Sequence, residues 1–228
     1  MPSADVAAGD TVLATQYNNL RAEVISAIRP QDRYPAIFLW NSTDRLTGRS
    51  AGAPTITYQG TTVTIAVDAN VNEYASFENS QVAAPPLTDN WECYIFMSGA
   101  ITADAAITVF AGLCDNIAAG LLPTGAARDF AGIRVDNANV IGVNGDGAAE
   151  TTTNLTVSGG HTTGNSFLIR RTGSSIFFFV NGTLRATHTT NLPNGGNGNL
   201  YLIVDSSGAG AAIATAVIFG TCAAEEVN

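Results

Sequence analysis

Ser166-Phe-Leu-Ile-Arg-Arg-Thr-Gly-Ser-Ser-Ile-Phe-Phe-Phe-Val-Asn-Gly-Thr-Leu-Arg-Ala-Thr-His-Thr189 reads as three consecutive β-strands joined by two tight turns. Gly173-Ser174 supplies the first reversal and Asn181-Gly182 the second. Both central residues of a type I′ turn need positive φ, which Asn and Gly tolerate, so Asn-Gly between apolar runs signals a hairpin. In residues 176–180 both alternating sets are apolar. A strand of that kind is covered on both faces, in the middle of a packed sandwich or against a subunit interface.

On either side of this hairpin the period-2 pattern continues. Residues 37–40, 62–67, 91–97, 107–113, 130–135, 140–143, 151–157, 200–204 and 214–219 are short runs rich in β-branched and aromatic residues, separated by Gly, Asn, Asp and Pro. Many short strands with no helical pattern between them predict an antiparallel sandwich or barrel over residues 37–228. Hydrophobic residues make up 46% of the 228, enough for a full core.

The first thirty residues follow a different period. Asp10 is a good N-cap, and Leu13, Tyr17, Leu20, Val24 and Ala27 recur at alternating steps of four and three, the spacing of a heptad seam. So short a helix is marginal alone in water and must pack on something: its own β-domain, sister helices or a socket on another protein. Residues 1–29 are therefore read as a helix for oligomerisation or attachment, with Leu13, Tyr17, Leu20 and Val24 at the contact. Residues 30–36, bounded by Pro30 and containing Pro35, read as a linker.

Two resemblances follow from these motifs. The Phe167–Thr189 hairpin, with its Ile176-to-Asn181-Gly182 core, and the run Val109-Phe-Ala-Gly-Leu-Cys-Asp resemble strands of the concanavalin A-like jelly roll of lectins, laminin-G modules and glucanases. The segment Ala8-Gly-Asp-Thr-Val-Leu-Ala-Thr-Gln-Tyr-Asn-Asn-Leu-Arg is similar to the opening of many tailed-phage virion proteins, tail fibres in particular; it keeps Gly9, Asp10, Thr11, Ala14, Tyr17, Asn18 and Leu20. Together they imply a virion structural protein held by its N-terminal helix. A homotrimer, contacts with other virion proteins and a host-surface glycan as candidate ligand are implied with it. A capsid decoration protein and a free carbohydrate-binding lectin-like module are the alternatives. The start Met-Pro-Ser-Ala-Asp has neither the charged nor the apolar part of a secretory signal, so localisation is expected in the particle itself.

Composition excludes several classes. Net charge is −9 and lysine is absent, so neither nucleic acid nor an anionic membrane gains electrostatic support. No apolar run approaches the ~20 residues that span a bilayer. Cys93, Cys114 and Cys222 form no C-x-x-C pair and read as buried strand residues. Only His161 and His188 exist, too few for a histidine metal cluster. Calcium donors could come from Asp136, Asn137 and Asn139, or from Asn144 and Asp146, although turn chemistry accounts for the same residues, and no cofactor is expected. Sandwich-fold glucanases carry carboxylates spaced by two along one strand. Here only seven glutamates occur, Glu73 and Glu78 are five apart, and no E-x-D-x-x-E appears. On that ground no enzymatic activity is expected.

Overall fold

A computed structural model of the chain describes residues 37–39, 47–51, 55–59, 62–67, 73–79, 85–97, 107–115, 122–124, 127–136, 139–157, 165–206 and 215–226. By its internal contacts the chain divides into two compact units, Met1–Pro35 and Ala36–Asn228. The helix positions Leu13, Tyr17, Leu20 and Val24, together with Asn137 and His161, lie outside the described residues.

The described residues are strands and their connections. In chain order the strands are β1 (Ile37–Leu39), β2 (Thr47–Ala51), β3 (Thr55–Gln59), β4 (Thr62–Val67), β5 (Glu73–Asn79), β6 (Trp91–Met97), β7 (Ile107–Cys114) and β8 (Asp129–Asp136), followed by β9 (Asn139–Asp146), β10 (Glu150–Asn154), β11 (Asn165–Thr172), β12 (Ser175–Val180), β13 (Thr183–His188), β14 (Asn199–Ser206) and β15 (Thr215–Glu226). They form two antiparallel sheets. One runs β13-β12-β11-β6-β15-β4-β3 with β1 also on β15, and the other runs β10-β9-β8-β7-β14-β5-β2.

Alternation explains why the sheets stack. Trp91, Cys93 and Ile95 on β6, and Phe167 and Ile169 on β11, are fully or almost fully buried, as are Leu113, Ala131, Leu200 and Leu202 from the second sheet. These alternate positions form one apolar core between the sheets. Trp91 anchors a corner of it, its indole Nε1 donating to the Leu87 carbonyl at 3.3 Å. Arg171 closes the same corner: Nη1 donates to the carbonyls of Leu87 and of Pro193, and Nε to that of Gly173. A buried guanidinium is tolerable there because backbone carbonyls satisfy its donors.

The quoted hairpin folds with Asn181 and Gly182 at φ of 49° and 77°, between β12 and β13. Asn181 also reaches back to β11: its Oδ1 accepts from Ser166 N at 2.9 Å, and its Nδ2 donates to Asn165 Oδ1 at 2.8 Å. Two details differ from the sequence reading. The strand β12 lies one in from the edge rather than in the middle, because β13, mostly polar and exposed, closes that side of the sheet. The run expected at 151–157 ends at Asn154. There Asn154 Oδ1 accepts from Thr156 N at 2.9 Å, Thr156 takes φ of 47°, and Leu155 turns into the core.

Candidate functional site

The outward face of the second sheet is where the residues become informative. Phe110, Cys114, Phe130, Val143, Tyr201 and Ile203 point away from the main core yet are buried, with Leu122 packed against them. Glycines make this layer possible. A Cβ on Gly132 would stand 2.6 Å from the Ala111 carbonyl oxygen and 2.6 Å from Phe110 Cε2, so the Phe110 ring occupies the space that a side chain would fill. Phe130 meets Phe110 edge-on, centroids 5.9 Å apart at 80°.

Further along the same face the chemistry changes. Arg134 forms a fork to Glu150, Nη2 to Oε2 at 2.9 Å and Nη1 to Oε1 at 3.3 Å. The next outward row is set by register: Asn139 pairs with Asp136, Asp136 with Thr108, and Thr108 with Asp205. Asp136 is exposed, whereas Asp205 is partly buried, and burial pushes its carboxyl above the usual carboxylate range. Two strand spacings separate the two acids, about 10 Å between backbones. The row therefore sets a carboxyl whose pKa burial raises two strands away from an exposed carboxyl, with a threonine hydroxyl between them. That arrangement offers donors and acceptors to a hydroxyl-rich ligand.

The candidate calcium donors go elsewhere. Asn144 turns inward: its Nδ2 donates to the carbonyls of Thr190 at 3.0 Å and Asn191 at 2.6 Å, and its Oδ1 meets His188 Nδ1 at 2.5 Å. Asp146 Oδ1 accepts from the backbone N–H groups of Ala148 and Ala149, both at 2.9 Å. The Ala149 bond first, then the Ala148 bond, holds its carboxyl below the usual range. Asn139 Oδ1 accepts from Asn154 Nδ2 at 2.8 Å. No group of three or more His, Cys, Asp or Glu able to hold a metal occurs among the described residues. Cys93 and Cys114 are buried thiols, outside any disulfide with each other.

Sequence reasoning missed two features: the Asp136–Asp205 row on the second sheet and the role of His188 at the end of β13 in the first. Its search for acids looked along single strands, and this row exists only through cross-strand register. His188, 3% exposed, sits between the sheets with Nε2 against Thr153 Oγ1 at 2.9 Å.

No protein-family model matches the sequence, and no curated protein is significantly similar to it. Solved structures do share the fold. A β-glucanase of Bacillus licheniformis superposes with a TM-score of 0.61 at 11% identity, over 84% of this chain and 99% of that one. The carbohydrate recognition domain of Emp47p gives 0.58 at 10% identity, over 82% and 90%. The receptor binding domain of a botulinum neurotoxin C/D mosaic serotype gives 0.54 at 10%, over 87% and 49%. The architecture is the concanavalin A-like jelly roll, an all-β sandwich of two antiparallel sheets.

These likenesses overturn the expectation that the chain has no enzymatic activity. Glycoside hydrolases recur among the structures with this fold. The missing E-x-D-x-x-E pattern excludes one way of placing carboxylates; it does not reach acids that cross-strand register sets in one row, as it does Asp136 on β8 and Asp205 on β14 with β7 between them.

Proposed function

We propose that the chain is a bacteriophage virion appendage protein of tail-fibre type whose jelly roll contacts a carbohydrate on the host surface. In this reading the N-terminal helix, through Leu13, Tyr17, Leu20 and Val24, joins three copies and holds them to other virion proteins. The observation that carries the carbohydrate half is the shared fold: structures named for glucan hydrolysis, carbohydrate recognition and receptor binding superpose on more than four-fifths of this chain. The particle half is supported by the Gly9-Asp10-Thr11 to Tyr17-Asn18-Leu20 motif. The Asp136–Thr108–Asp205 row is the contact surface, its carboxyl and hydroxyl groups exchanging hydrogen bonds with sugar hydroxyls.

A glycan array probed with the full-length chain tests this. We expect saturable binding to a bacterial surface polysaccharide that weakens at least tenfold in Asp136→Asn and Asp205→Asn. An array without hits, or hits indifferent to both changes, removes the proposal. A reducing-end assay on any polysaccharide that binds then decides whether turnover accompanies recognition.

A further inference from the structure

Asparagine followed by glycine forms turns, and it is also chemically labile. The glycine nitrogen can attack the asparagine side-chain carbon, and with no Cβ beside it nothing crowds the approach. The chain contains four such pairs: Asn144-Gly145, Asn181-Gly182, Asn194-Gly195 and Asn197-Gly198. Attack needs a side-chain amide that can turn, a backbone N–H that is not donating elsewhere, and water to complete the reaction.

Three of the pairs fail on at least one of these counts. Asn144 is fully buried and both ends of its amide are engaged, Nδ2 on the Thr190 and Asn191 carbonyls and Oδ1 on His188. At Asn181, Oδ1 accepts from Ser166 N at 2.9 Å and from Ser166 Oγ at 3.2 Å, while Nδ2 donates to Asn165 Oδ1 at 2.8 Å. Those bonds hold its amide against β11. Asn197 is exposed, but its nucleophile is occupied: Gly198 N donates to the Pro85 carbonyl at 2.9 Å. Gly198 is wedged as well, since a Cβ there would stand 2.5 Å from Leu87 Cδ2.

Asn194-Gly195, in the connection between β13 and β14, meets every condition. Asn194 is exposed, and its amide makes a single long bond, Nδ2 to the Asp146 carbonyl at 3.3 Å. Among the described residues the Gly195 N–H has no acceptor. The backbone just before the pair is fixed, because Asn194 N donates to Asp129 Oδ1 at 2.6 Å and the Pro193 carbonyl accepts from Arg171 Nη1 at 2.6 Å. The chain is anchored there while the reacting atoms stay unengaged.

We propose that Asn194-Gly195 is a site of spontaneous modification, where the chain turns its own asparagine into aspartate and isoaspartate. The Gly195 nitrogen, its proton lost to hydroxide, bonds to Asn194 Cγ. The Cγ–Nδ2 bond breaks, and Nδ2 takes a proton from water and leaves as ammonia. Water then opens the cyclic imide, at Cγ to give aspartate or at the backbone carbonyl to give isoaspartate. Water enters and ammonia leaves, so no oxidant or cofactor is needed. The product replaces the donor to the Asp146 carbonyl with a carboxylate, on the residue whose N–H Asp129 holds. Conversion therefore adds negative charge at this end of the sandwich and removes one tie of the connection. It is independent of glycan contact and of the N-terminal helix.

The test incubates the full-length chain at mildly alkaline pH and follows peptides covering the four pairs by mass spectrometry, beside a sample in urea. In urea the four should convert at similar rates. In the folded chain residue 194 should convert at least tenfold faster than residues 144, 181 and 197. A Cβ on Gly195 would meet only Asp129 Oδ2, at 3.8 Å, an ordinary contact that the fold accommodates. Gly195→Ala crowds the attacking nitrogen, so it should slow conversion at 194 at least tenfold and leave the other rates unchanged. Should that variant fail to fold by circular dichroism, the wild-type ranking decides. The proposal is overturned if residue 181 or 197 converts first in the folded chain, or if residue 194 is as slow as the others.

Discussion

His188 shows how much a single side chain can be asked to do between two sheets. Asn144 spends its Nδ2 on two backbone carbonyls, which leaves its Oδ1 to accept; His188 Nδ1 therefore carries the proton and Nε2 accepts from Thr153. Burial lowers the His188 pKa from 6.5 to about 4. The unfolded chain thus binds a proton that the folded chain refuses between those values, so the stability from this group is complete above pH 6.5 and drains as pH falls towards 4. The loss is on the order of 3 kcal/mol. Urea midpoints from pH 7 to pH 4 should fall more steeply for the wild type than for His188→Gln; parallel slopes refute this. Asp205 runs the other way. Burial raises its pKa, so its ionised form costs stability once pH exceeds the carboxylate range. Asp205→Asn should therefore melt higher at pH 7, by about 2–4 °C if the relief is ~1 kcal/mol. A lower melting temperature would mean that the ionised form is stabilised in the fold. Neither role was legible in the sequence. A histidine near a strand end and an aspartate after an apolar run look like surface residues until register places them.

At the scale of elements, the sequence was most readable where turn chemistry and alternation agree. Asn181-Gly182 required positive φ and adopts it, and Asn181 adds hydrogen bonds to Ser166 and Asn165 that no spacing could have announced. Replacing Asn181 by Val strains a β-branched residue at φ of 49° and removes those bonds, so we expect a loss of about 2 kcal/mol. An unchanged denaturation midpoint would count against that turn. The second sheet sets a stricter condition at Gly112, where a Cβ would come 2.4 Å from the Ala131 carbonyl oxygen and 2.5 Å from Gly132 Cα. Both neighbours are backbone and cannot swing aside. Gly112→Ala should cost about 1–3 kcal/mol, and a variant as stable as wild type would show that β7 and β8 can part. Strands such as β2, Thr-Gly-Arg-Ser-Ala, escaped the reading because they carry almost no apolar alternation and depend on β5 for their hydrogen bonds. Their identity is conferred by pairing rather than by composition.

Across the whole molecule, the order β10-β9-β8-β7-β14-β5-β2 joins strands more than sixty residues apart, and such pairings leave no local trace. The sandwich class was legible because period-2 runs are local; which acids face one another was not, because Asp136 and Asp205 meet only after β7 has been threaded between β8 and β14. Assembly belongs to the same scale. The N-terminal stripe of Leu13, Tyr17, Leu20 and Val24 is too apolar for a solvated helix and too narrow for one buried all round. In the proposed reading, a seam of that width meets other copies. An aspartate at position 20 would bury a charge in every helix of the seam, with no lysine in the chain to compensate it. Leu20→Asp should therefore lower the mass of the assembly at about 1 µM while the β-signature in circular dichroism stays unchanged. If Leu20→Asp keeps the wild-type mass at 1 µM, the helix does not join copies and its stripe packs on its own chain.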